Sequence, residues 1–169
     1  MNELESVKEW YIISRDSNYE ISRLIAESGS VFSNETIFYT IPVTEIVKDL
    51  KIVREEIDDF AILSMVAVFE QKLVSILEDV YAGIRENQEG LKSDLLEFFH
   101  EKALKRWHFE DILELFKDFV NDELFDQIKS IYKYRNWVAH GKYTEKPTSL
   151  DPITVYEKLS NFLETINEK

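Results

Sequence analysis

From Val47 to Val80, apolar side chains recur at intervals of three and four, with no glycine or proline among them. Val47, Leu50, Val53, Ile57 and Phe60 lead into Ile62, Met65, Val66, Phe69, Leu73, Ile76 and Leu77. Thr44 and the acids after it supply a helix start. A run from 44 to about 84 exceeds the usual globular helix, so it is either one long helix or two joined near Asp58-Asp59. Its portion 60–80 is apolar around much of the circumference and is expected to be the central core helix. Four glycines and three prolines in 169 residues are too few for a fold rich in tight turns, such as a β-sandwich.

The remaining segments read as further helices around that core. Leu4, Val7, Tyr11 and Ser14, then Ile21, Leu24, Ile25 and Ser28, predict one or two amphipathic helices with a break near Asp16-Ser17-Asn18. Residues 30–44 contain strand formers but are cut by Pro42, and read as a loop or short extended insertion, with a strand pair as the weaker option. Glu86 to Gly90 reads as a turn. Helices are expected at Leu91 to Leu104, at Phe109 to Val120, from Asp122 to about Ala139, and from Asp151-Pro152 onward. The expectation is one all-α domain over 1–169, a helical bundle of five to seven helices.

Chemistry is narrowed by what is missing. The chain has no cysteine, which removes disulfides, thiolate metal sites and cysteine nucleophiles together. Neither a zinc-protease motif, an EF-hand pattern nor a glycine-rich phosphate loop occurs. No metal and no cofactor is expected. The opening Met-Asn-Glu-Leu-Glu-Ser-Val-Lys lacks the apolar core of a signal peptide. The longest apolar-rich stretch, Phe60 to Phe69, is about half a membrane span. A cytoplasmic protein is expected, without membrane contact.

Thirty-three acids against twenty bases give a net charge of −13, which repels nucleic acid over most of the surface. One window reverses the balance. From Gln127 to Lys146 the bases are Lys129, Lys133, Arg135, Lys142 and Lys146 and the only acid is Glu145, a net of +4. On a helical wheel with Leu124 at 0°, Ile128 falls at about 40°, Ile131 at about −20° and Arg135 at about 20°, so Arg135 sits inside the apolar stripe. A buried guanidinium costs several kcal/mol unless something receives it. An internal ion pair with Glu70, a subunit interface, and a cleft for an anion each satisfy that requirement. Asn136 at about 120° and His140 at about 160° share a flank, one turn apart. His100 and His108 fall outside this cluster and read as helix-end or surface histidines. Trp137, at about 220°, points away from the stripe toward a neighbouring helix or a subunit contact.

The stretch Tyr134-Arg135-Asn136-Trp137-Val138-Ala139-His140-Gly141 resembles the signature of HEPN domains, a helical family of ribonucleases. Their motif is an arginine followed after four to six residues by histidine, often with a polar residue directly after the arginine. Here Arg135 and His140 have four residues between them, and Asn136 takes the polar position. Ala67-Val68-Phe69-Glu70 resembles the family's earlier core helix, which often carries a polar residue facing the site. The resemblance implies a HEPN-like bundle and a metal-independent endoribonuclease, active as a homodimer whose motif helices face each other. It implies that Arg135, Asn136 and His140 are catalytic, with Glu70 supporting them and Lys133 and Lys142 contacting RNA. A toxin or antiviral defence role, held by an antitoxin or regulatory protein, follows by analogy. Toxin members of the family carry a tyrosine two residues after the histidine; Tyr143 comes three after. The alternatives are a non-catalytic HEPN module that binds nucleotide, RNA or a protein partner, and a helical adaptor without a ligand.

Overall fold

A computed structural model describes residues 3–28, 32, 35–86, 90, 92, 97 and 108–167. Among the described residues there are five α-helices, two short 3-10 turns and no strand. The helices are α1 (Glu3–Ser28), α2 (Val43–Glu86), α3 (Phe109–Glu114), α4 (Asp122–Ala139) and α5 (Pro152–Asn167). The helix expected at 91–104, together with His100, lies outside the described residues, as does most of the turn expected at 86–90.

The central helix is continuous over 44 residues. Asp58 and Asp59 do not break it because each carboxylate finds a phenol. Tyr11 Oη donates to Asp58 Oδ1 at 3.0 Å, and Tyr134 Oη donates to Asp59 Oδ1 at 2.6 Å. Met65, Phe69 and Leu73 of α2 and Phe162 of α5 are fully buried in one core, with Phe69 and Phe162 meeting edge to face at 5.3 Å. Each such side chain contributes roughly 1.5–3 kcal/mol of burial. One window of α2 is long and apolar enough to cross a membrane, with a mean hydropathy of 1.8. Core helices of soluble proteins meet the same criterion, and α2 buries a third of that window in the bundle.

α1 is a single helix, not two. Its buried positions are Leu4, Tyr11, Asn18 and Ile25, a strict seven-residue repeat against α2. The expected break falls on Asn18, which the seam accepts because Arg54 Nε of α2 donates to its Oδ1 at 3.2 Å. Arg54 Nη2 also donates to Ser22 Oγ. With Asn18 inside, Ile21 and Leu24 turn out toward solvent.

Residues 37–40 form a 3-10 turn, not a strand. Phe38 and Ile41 pack with Phe32 on a small satellite core of Ile25, Ile46 and Leu50. The segment expected as one helix over 109–120 is instead α3 followed by a 3-10 turn at Lys117–Phe119. Amides 115 and 116 bond carbonyls 112 and 113, three residues back, which tightens the chain and ends the α geometry. His108 is the exposed N-cap residue of α3, its backbone N–H donating to Asp111 Oδ2 at 3.0 Å. α5 starts where expected, with Asp151 Oδ2 accepting the Thr154 amide at 2.9 Å.

Candidate functional site

α4 carries every residue of the motif up to Ala139, and its start is set by Asn121, whose Oδ1 accepts the Leu124 amide at 2.8 Å. Leu124, Phe125, Ile128, Ile131 and Tyr134 are buried, which seats α4 against α2 and α5. The wheel therefore holds for Ile128 and Ile131. Arg135 lies on the same inner side but is half-buried.

Of the three arrangements open to Arg135, the structure shows the internal ion pair. Nη2 meets Glu70 Oε2 at 3.3 Å, with the two side chains 27% and 24% exposed. Nη1 donates to Asn136 Oδ1 at 3.0 Å. The guanidinium carbon lies 5.6 Å from the Tyr132 ring centre, and Nε is buried without a hydrogen-bond partner among the described residues. Burial holds the Glu70 carboxyl above its usual acidity range, and the Arg135 charge offsets only part of that rise.

His140 is the exposed C-cap of α4. Gly141, at φ 81°, closes the helix: its amide bonds Val138 O and the Lys142 amide bonds Trp137 O, each at 3.0 Å. Lys142 follows in the left-handed region as well, at φ 62°. His140 lines a surface hollow of about 280 Å³ with Lys133, Asn136, Trp137, Tyr143 and one carboxylate, Glu145. Trp137 is fixed there by donating Nε1–H to Thr144 O at 2.9 Å. A second hollow of about 540 Å³ lies further up α4, lined by Glu110, Asp126, Lys129, Tyr132, Lys133 and Asn136. Lys133 and Asn136 border both, so the two hollows are neighbours along α4, the larger one between α3 and α4, and together are called the trough.

The structure thus brings Asn136 together with Arg135 through a hydrogen bond and with His140 through a shared hollow. Arg135 itself faces α2 and is absent from the lining of the His140 hollow. Lys133 borders the trough; Lys142 does not. Its ammonium sits 2.6 Å from Glu56 and 2.7 Å from Asp59 on α2. Lys129 likewise pairs with Glu114 at 3.2 Å. The basic window therefore keeps Lys133 and Lys146 as its cations without a carboxylate partner among the described residues. Acids brought in from α2 and α3, which the linear count omits, neutralise the rest.

Tyr134, Asp59 and Glu56 were not candidates in the sequence. The only trace there is the Asp58-Asp59 pair inside an apolar run, a polar interruption that required partners. Among the described residues no group of three or more histidine and carboxylate side chains could hold a metal ion. Compared with protein-family models, curated proteins and solved structures, the chain matches none.

Proposed function

We propose that this chain is a metal-independent endoribonuclease of HEPN type, acting in the cytoplasm as a toxin or antiviral defence effector. The observation that carries the reading is Asn136, which bonds the Arg135 guanidinium while bordering the hollow that His140 lines. The His140 imidazole is of the side-chain type suited to take the 2′-hydroxyl proton of RNA. The 2′-oxygen then attacks the adjacent phosphorus. The bond to the 5′-oxygen breaks, and that oxygen receives a proton, leaving a 2′,3′-cyclic phosphate and a 5′-hydroxyl. In this reading the Arg135 guanidinium, which faces α2 and holds Glu70, has to turn toward the hollow to offer its permanent charge to the phosphorane, with the Asn136 amide guiding it. One chain supplies one such histidine, so a two-fold dimer with facing α4 helices supplies separate base and acid. Lys133, which borders both hollows, provides positive charge to steer the backbone there. An antitoxin or regulatory protein would cover this trough.

A second reading, a non-catalytic HEPN module, is favoured by one specific observation: the Arg135 guanidinium is already occupied by Glu70. Cleavage of RNA in the presence of a chelator, by the parent and by His140→Ala and Arg135→Ala, separates the two. The ribonuclease reading expects cleavage by the parent, loss on either substitution, and a dimer throughout. Binding without cleavage by the parent establishes the second reading.

A further inference from the structure

We infer that Lys142 is a positioning residue for His140, acting with Asp59 and Tyr134 as a bracket that ties the end of α4 to the middle of α2. Asp59 is 5% exposed, and both of its oxygens are used. Oδ1 accepts from Tyr134 at 2.6 Å, six residues before His140, and Oδ2 takes the Lys142 ammonium at 2.7 Å, two residues after it. A single buried carboxylate therefore grips the chain on both sides of the histidine. His140 itself stays exposed at the trough.

The backbone shows the tension in this arrangement. A non-glycine residue at φ 62° is disfavoured, and Lys142 directly follows Gly141, which is also left-handed. Lysine has no side-chain means of favouring that conformation, unlike asparagine. What holds it is the ammonium, anchored by two carboxylates, together with the amide bond to Trp137 O. Lys142 is therefore turned inward, toward α2. An RNA phosphate in the trough would meet Lys133 instead. The Asp59 carboxylate, being buried, is outside the reach of any nucleic acid.

This inference rests on the ribonuclease reading for its catalytic consequence but not for its geometry, and the experiment separates them. Lys142→Met, Lys142→Arg, Asp59→Asn and the double variant Asp59→Asn/Lys142→Met are compared with the parent. Thermal unfolding and dimer state are checked first. Amide hydrogen exchange is then followed at Gly141 and Lys142. Lys142→Met should raise exchange at these two amides tenfold or more, leave the core of α2 unchanged, and be largely rescued by Lys142→Arg. In cleavage assays kcat should fall on the order of tenfold, since small misplacements of a reacting group are costly. KM and the salt dependence of binding should hold. Asp59→Asn should do the same, and the double variant should be no worse than the poorer single one. Unchanged exchange in Lys142→Met overturns the bracket, whether or not RNA is cut. A raised KM with a shallower salt slope also overturns it, because that is the signature of a phosphate contact. Loosened amides in a protein whose parent cuts no RNA leave the bracket standing and reject the ribonuclease reading alone. If Asp59→Asn fails to fold, the two Lys142 variants still decide the matter.

Discussion

Neutralising Glu70 should leave the protein as stable as before, whereas removing its partner Arg135 should not. The Glu70–Arg135 pair lies at 3.3 Å with about a quarter of each side chain exposed, between the fully buried and fully solvated regimes. Breaking a buried pair by deleting one partner costs about 3–5 kcal/mol, and exposed pairs contribute about 0–1. Arg135→Met leaves a half-buried carboxylate without its cation and should cost about 2 kcal/mol, lowering Tm by roughly 4–8 °C in a chain this long. Glu70→Gln differs in sign of charge change and in outcome. The folded carboxyl is held above its ordinary value of 4.5, with burial the first cause, so ionisation of Glu70 opposes folding. The stability this group contributes is full below the unfolded value and is lost as pH rises through the folded one. Glutamine keeps an acceptor for Arg135 without that charge, and should match or exceed the parent at neutral pH by up to about 1 kcal/mol. Urea unfolding from pH 3.5 to 7.5 measures both variants. The parent should lose ground to Glu70→Gln as pH rises. If Glu70→Gln is destabilised as much as Arg135→Met at neutral pH, the pair carries net folding energy and this reasoning is wrong.

Other outcomes follow from single observations. Phe69→Ala empties the centre of the bundle and should cost about 3–5 kcal/mol by chemical denaturation, with the edge-to-face contact to Phe162 lost as well. Asn121→Ala removes the acceptor at the start of α4 and should cost about 1 kcal/mol, while Asn121→Asp or Asn121→Ser should largely preserve stability. Gly141→Ala places a Cβ at φ 81° and 3.0 Å from the Tyr143 ring. That ring is 92% exposed and can move, so the backbone sets the cost, about 1–2 kcal/mol, read as a Tm drop with faster exchange at Lys142.

Much of the helical layout was legible because helices are local. The spacing of Leu124, Ile128 and Ile131, and Gly141 after His140, each act within one or two turns. They place α4 without knowledge of any neighbour. The same holds for α5, whose start at Asp151-Pro152 depends on a cap three residues away. Local rules failed where a distant residue changed the value of a polar side chain. Asn18 and Asp59 read as breaks in apolar patterns, and both are buried, because Arg54 and Tyr134 arrive from other helices to satisfy them. The net +4 of the Gln127–Lys146 window failed in the same way, since the carboxylates that cancel it lie on α2 and α3.

What the chain's own periodicity determined is a helical protein with a long apolar run at its centre, as one helix or two, and an Arg-Asn-His cluster near one helix end. Backbone hydrogen bonds and apolar spacing suffice for that. Which way Arg135, Lys133 and Lys142 face was decided only by the tertiary structure. Charge interactions reach across sequence separations of 65 residues for Arg135–Glu70 and 86 for Lys142–Glu56, and no pattern within a helix encodes them.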